Sequence, residues 1–301
     1  MTAPTALGRP SRTRRVSRRT RHRFGLVCAY TALICWSIFS VFPIAWTYIS
    51  SIKPPQEVFA IPPKWVFTPT LHNYAIVLGW ADQLEGGPRS RLPEYFVNTV
   101  VVCLGSTVLA IGVGTPAAYA LARARIRGRR ILLTGVLLSR LVPPIVLVVP
   151  LYVIWRNVGL LGTRIGLILA FFVFALPFVL WMMRGFFLAV PPALEEAALI
   201  DGCSRWGALV RVVVPLAAPG LASTAILVVL SAWTEFLVAS LLGGDHAKLL
   251  TPAIFGYVSD RAVLWGQVYA ASSLVLLPVF IFSLLVQKHI ATGLAGGAMK
   301  T

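Results

Sequence analysis

Two charged side chains stand where charge is costly. Arg140 and Glu235 are the clearly ionisable residues inside stretches otherwise apolar enough to cross a membrane. An ionisable group at that depth is a functional hypothesis by default. Arg140 comes nine residues into its stretch, about 13 Å deep at about 1.5 Å per residue. There it would face a pathway, meet a partner carboxylate, or snorkel to the interface. Glu235 follows Pro219 by sixteen residues, about 24 Å along by the same rise, near the far interface. It would serve as a structural tie or as part of a solute pathway or gate. The axial offset between the two, about 11 Å, argues against a direct pair.

A second candidate is the segment Pro191-Pro192-Ala193-Leu194-Glu195-Glu196-Ala197-Ala198-Leu199-Ile200-Asp201-Gly202. Proline suits the first position of a helix, and Glu195 and Glu196 fall in the first turn, where the helix dipole favours carboxylates. Gly202 can adopt the left-handed conformation that ends a helix. Ser204 is then placed to cap a second short helix through Val212–Val214, stopped by Pro215. The spacing predicts helix, tight turn, helix, lying at the membrane rather than through it. The small alanines would let another protein approach closely.

Hydrolytic chemistry has no such foundation. There is no G-x-x-x-x-G-K-[ST] loop and no G-x-G-x-x-G after a strand. Cys28, Cys35, Cys103 and Cys203 form no CxxC or Cys/His cluster, so neither a disulfide nor a metal site is expected. His22, His72, His246 and His289 are isolated in sequence.

The elements that must position these residues follow from composition. The 301 residues are 57% hydrophobic and 12% charged, with mean hydropathy +0.81. Soluble domains carry about a quarter charged residues, so a water-soluble chain is excluded. Stretches of about 20 apolar residues are long enough to span a bilayer. Six qualify, near 25–49, 95–122, 131–155, 165–188, 219–242 and 263–287. Several contain proline, which implies kinked helices whose freed backbone groups find partners in neighbouring helices or water.

Charge sets the orientation. Eighteen of the 27 Lys and Arg fall on one side of a six-span arrangement and eight on the other, with Arg140 within the third span. The positive-inside rule then places both termini in the cytoplasm. Eight of the arginines, Arg9 to Arg23, form an arm without acids directly before the first span. That position favours membrane orientation and contact with anionic lipid over nucleic-acid binding. Trp46, Trp65, Trp155 and Trp265, near span ends, read as an interfacial belt.

Glu196-Ala197-Ala198, three residues, Gly202, nine residues, Val212, one residue, then Val214-Pro215 resembles the EAA signature of ABC importer permeases. The usual form is EAA-x3-G-x9-I-x-L-P, so Val212 and Val214 depart from it conservatively. Asn98-Thr99, Ala118-Tyr119-Ala120-Leu121-Ala122-Arg123, Pro143-Pro144, Pro150-Leu151-Tyr152, Trp233-Thr234-Glu235-Phe236 and the tail Gly293-Leu294-x-x-Gly297-x-x-Lys300 are similar to the shorter permease of the maltose-transporter type. Thr234 where asparagine is commoner, the long arginine arm and an insertion near 80–93 are departures.

The resemblance implies an all-α integral membrane protein with six transmembrane helices and both termini cytoplasmic. Residues 1–24 would be a basic arm, 25–288 the permease domain with its coupling loop at 189–218, and 289–301 a cytoplasmic tail. It also implies that Glu195, Glu196, Ala197, Ala198, Asp201, Gly202 and Pro215 couple to an ATPase. Arg140, Glu235 and Asn98 become candidates for the translocation pathway, and Gly293, Gly297 and Lys300 for a second ATPase contact. Expected partners are a second permease, a cytoplasmic ATPase dimer, an extracytoplasmic solute-binding protein and membrane lipid, with no nucleic acid. This chain would bind no cofactor, ATP and Mg2+ belonging to the ATPase. The cargo would be a sugar or sugar-like solute carried across the cytoplasmic membrane. A permease for another solute such as glycerol phosphate or peptide, and an ion-coupled secondary transporter, are the alternatives.

Overall fold

The computed structural model describes residues 18–82, 89–258 and 263–298. The chain divides into two compact units, Met1–Ile49 and Ser50–Thr301. Helix α1 (Arg18–Ser51) supplies the described part of the first unit. Its stretch Gly25–Ser51 is apolar enough to cross a membrane.

The second unit holds α2 (His72–Val77), α3 (Leu92–Arg123), α4 (Arg129–Ser139), α5 (Pro144–Asn157) and α6 (Arg164–Ala189). The short helices α7 (Pro192–Ile200), α8 (Arg205–Ala208) and α9 (Val214–Leu216) follow, with a π-helical turn at Leu209–Val213 between the last two. The unit continues with α10 (Ala218–Trp233), α11 (Leu237–Leu242), α12 (Leu250–Ala253) and α13 (Trp265–Ala298). Among the described residues no strand forms; Val258 and Val263 make one isolated antiparallel bridge.

The α3–α6 pair forms the axis of this unit. In lipid, helices gain little from hiding apolar surface and associate instead by close van der Waals fit, which small residues permit. Along α3, Ser106, Ala110, Gly114, Ala118 and Ala122 recur every fourth residue, and all are buried. Across the crossing lie Val179, Met183 and Phe187 of α6, each fully buried. A Cβ at Gly114 would come within 2.6 Å of Val179 Cγ1, and one at Gly105 within 2.9 Å of Ile168 Cδ1. A side chain at either glycine would force its neighbour to move, and at Gly114 both Cγ1 and Cβ of Val179 stand in the way. A second group of buried residues, including Leu167, Phe171, Trp233, Val238 and Leu250, joins α3 and α6 to α10, α11 and α12.

The segment after α1 is tied down by side chains that satisfy its backbone. Asn73 Nδ2 donates to the Ser51 and Lys53 carbonyls, both at 2.9 Å. The Tyr74 hydroxyl lies 2.8 Å from Ser51 Oγ and 2.7 Å from Ser273 Oγ, bridging the segment to α13.

Among the described residues, four helical stretches are long and apolar enough to cross a membrane: Gly25–Ser51, Leu92–Arg123, Arg164–Ala189 and Trp265–Leu285. Two bent pairs raise the number to six if each is one span. The third expected span is one of these pairs. It divides into α4 and α5, which meet at 93°. Pro143 and Pro144 cause the break, since proline lacks the N–H that would continue the ladder and disfavours helical backbone before it. Arg140 therefore caps α4 in a turn, and the depth computed along a straight helix does not apply to it.

The fifth expected span also divides, ending as α10 at Trp233 and resuming as α11 at Leu237. Thr251 Oγ1 donates to the Trp233 carbonyl at 3.0 Å, satisfying an acceptor freed by that break. The other bent pair lies earlier, where Arg205–Leu216 meets α10 at 79°.

Candidate functional site

Two sites emerge, one at the loop after α6 and one within the helices. At the loop, Pro191 adopts φ −58° and ψ 130° and Pro192 begins α7. Helix α7 ends as its composition predicts. Gly202 has φ +88°, its N–H donates to the Leu199 carbonyl at 3.2 Å, and the Cys203 N–H donates to the Ala198 carbonyl at 3.0 Å. This pair of bonds is the Schellman closure, which glycine adopts without strain. A Cβ on Gly202 would meet open space.

Ser204 caps the following helix, accepting from the Gly207 N–H at 3.1 Å. That helix does not stop at Pro215 as expected. The π-helical turn at Leu209–Val213 rewinds the ladder, Pro215 falls in the first turn of α9, and the bond from the Ala217 N–H to the Val213 carbonyl re-forms at 2.9 Å.

The two glutamates of the loop face different surroundings. Glu196, Ala197, Asp201 and Gly202 are exposed, beside Leu194, Ile200 (86% exposed) and Trp206 (64% exposed). Ala198 is buried. Glu195 turns inward. It accepts a hydrogen bond from the Tyr119 hydroxyl and pairs with Arg123 Nε at 3.0 Å, its side chain 12% exposed. Arg123 Nη2 donates to the Val190 carbonyl at 2.6 Å. Sequence reasoning assigned neither Tyr119 nor Arg123 to the site; the signal available was the Ala118–Arg123 run at the end of α3.

Within the helices lies a cavity of about 450 Å3, formed by α3, α4, α5, α6, α10, α11 and the two helix breaks. Arg140 and Glu235 both line it, with Ser106, Ser139 and Ser231 and the rings of Phe171, Phe174 and Phe178. The Arg140 guanidinium lies 5.2 Å from the Phe178 ring centre, within cation–π range. Glu235 Oε1 accepts from the Val238 N–H at 3.1 Å, capping α11. Among the described residues, Arg140 and Glu235 form no ion pair with one another. The structure thus brings both charges to one wall without pairing them. Prolines and aromatic rings enclose the site, leaving few polar groups to orient a solute.

Asn98 is placed elsewhere. It is fully buried and absent from the cavity wall. Its Nδ2 donates to the Lys248 and His246 carbonyls at 3.0 and 3.4 Å, and Arg164 Nε donates to its Oδ1 at 2.7 Å. Thr99 beside it accepts from the Leu250 N–H at 2.8 Å. The pair clips the start of α3 to α6 and to the segment before α12. At the other end, α13 continues through Gly293 and Gly297 to Ala298, and Lys300 lies outside the described residues.

An all-helical, multi-pass chain with an exposed helix–turn–helix and a cavity at two broken helices has the form of a transport permease. Residues 110–295 match the family described as binding-protein-dependent transport system inner membrane component, and the chain belongs to that family. It is 34% identical over 285 residues to the diacetylchitobiose uptake system permease protein NgcG of Streptomyces coelicolor, covering 92% of this chain and 90% of that one. It is 36% identical over 269 residues to the trehalose transport system permease protein SugB of Mycobacterium tuberculosis, covering 87% and 93%. A solved bacterial ABC transporter for import of the acidic polysaccharide alginate contains a chain of the same fold. That chain matches with TM-score 0.73 and 25% identity, over 92% of this chain and 99% of its own.

Proposed function

We propose that this chain is one of two permease subunits of a binding-protein-dependent ABC importer for a sugar or sugar-like solute. The observation that carries the reading is the loop geometry. A short helix closed by a left-handed glycine presents Glu196, Ile200 and Asp201 outward, a surface suited to a cytoplasmic ATPase. The sugar assignment rests on the relatives named above, which carry diacetylchitobiose and trehalose in their names. The chain is a transport subunit without chemistry of its own. ATP and Mg2+ are held by the ATPase dimer, and a solute-binding protein delivers cargo to the outer face. ATP-driven closure biases the permease between two states of access, as a ligand biases any two-state element. Arg140 and Glu235 contribute to the solute pathway, and Gly293, Gly297 and Lys300 to a second ATPase contact.

The experiment is reconstitution of the four-component complex in liposomes with labelled disaccharides. Uptake is expected to require internal-facing ATP and the binding protein. Uptake sustained by an ion gradient without ATP hydrolysis would favour a secondary transporter instead.

The reading includes six spans with cytoplasmic termini, the two bent apolar segments each crossing once. In a cysteine-free background, an impermeant maleimide added to intact cells is expected to label a cysteine at Gly87 and not one at Gly128. Labelling at Gly128 alone would invert the topology.

A further inference from the structure

Glu195 and Glu196 are adjacent, yet only Glu196 is available to a docking partner. Glu195 is engaged through both oxygens: Oε1 accepts the Tyr119 hydroxyl, and Oε2 faces Arg123 Nε at 3.0 Å. Arg123 reaches in a second direction, with Nη2 on the Val190 carbonyl at 2.6 Å. The Tyr119 ring packs edge-on against Phe187 of α6, 6.0 Å between centroids. Three side chains therefore join the end of α3, the end of α6, the linker between α6 and α7, and the first turn of α7. The pair is largely withdrawn from water, at 17% and 12% side-chain exposure for Arg123 and Glu195. Screening is weak there, so the ion pair acts at close to full strength, and the hydrogen bonds from Tyr119 to Glu195 and from Arg123 to the Val190 carbonyl fix the geometry.

The chain itself connects α7 to α6 through Val190 and Pro191, and to α10 through α8 and α9. The side-chain clamp adds α3. That helix runs unbroken from Tyr119 back to Ser106 on the cavity wall, thirteen residues or about 20 Å at a helical rise.

We propose that Tyr119, Arg123 and Glu195 are positioning residues that fasten the loop to α3, so that movement of α7 is delivered to the cavity wall through α3 as well as α6. Glu195 on this account is an internal strut and not an ATPase contact. The proposal rests on the ABC-importer reading above.

The test uses the reconstituted complex carrying Tyr119→Phe, Glu195→Gln, Arg123→Gln or the Arg123→Gln/Glu195→Gln double variant. Three quantities are measured: assembled complex, ATPase retained, and ATP hydrolysed per solute imported. Each single variant is expected to assemble and keep its ATPase, with ATP spent per solute rising about tenfold for Glu195→Gln and less for Tyr119→Phe. The double variant is expected to be no worse than the worse single, because one linkage is lost once. Loss of uptake and hydrolysis in proportion to assembled complex would show a merely structural role and overturn the proposal. Release of the ATPase by Glu195→Gln would make Glu195 a docking contact, and an unchanged ratio in all variants would remove the clamp from coupling; either result overturns it. A wild-type complex without ATP-driven uptake would refute the importer reading and the clamp together, whereas the other adverse outcomes refute the clamp alone.

Discussion

Gly202→Asp is expected to abolish uptake, by about a hundredfold or more, while the permease still folds and inserts. Left-handed backbone costs a residue with a side chain about 1–2 kcal/mol, and Gly202 holds φ +88°. A carboxylate at the end of α7 adds an unfavourable dipole contribution of about 0.3–1 kcal/mol. Neither is large against a typical stability of about 5–15 kcal/mol. No atom lies within 4 Å of the added Cβ, so nothing inside the chain must move. On the proposed coupling role, what suffers is the outward surface, where a second charge beside Asp201 would meet the ATPase. Gly202→Ala separates the causes: it bears the backbone strain without the charge and is expected to retain most of its uptake. Substrate-stimulated ATP hydrolysis and uptake in the same vesicles decide the matter. Gly202→Asp with both activities intact would remove the loop from coupling.

Arg140→Leu is expected to lower uptake about tenfold or more with the complex fully assembled. The side chain is exposed at a helix break on the cavity wall, where its contact with the Phe178 ring contributes on the order of 0.5–1 kcal/mol. The fold does not depend on so small an interaction, so a large loss of transport would report on the solute's path. Arg140→Lys is expected to recover part of the rate, because an ammonium keeps the charge and loses the planar fork of donors. Near-normal uptake in the leucine variant would assign Arg140 to lipid or interface anchoring.

The loop after α6 was legible because its determinants are local. Gly202 and Ser204 act through bonds to residues within five positions, Pro192 acts through its own fixed backbone at the start of α7, and this turn chemistry can be read from type and spacing. The helix after Ser204 was misjudged at Pro215 for a related reason. Proline removes one bond, and a π-helical turn upstream absorbs that loss; nothing in the residue types from Leu209 to Val213 signals it.

The sequence by itself determined that this chain lives in a membrane, where its apolar stretches lie, and which loop turns outward on a left-handed glycine. Hydropathy averages over some 20 residues, so it could not show the breaks at Pro143-Pro144 and Thr234–Phe236. Only the tertiary structure decided that Arg140 and Glu235, assigned to different depths on straight helices, line one cavity with Ser106 and Phe178. It likewise separated Glu195 from Glu196 and moved Asn98 from the pathway to a clip at the start of α6. Each of these outcomes joins residues dozens of positions apart, and such contacts depend on how the α3–α6 crossing sets neighbouring helices. That crossing is governed by the close fit of Gly114 against Val179, a steric match between two helices that neither helix's residue pattern contains alone.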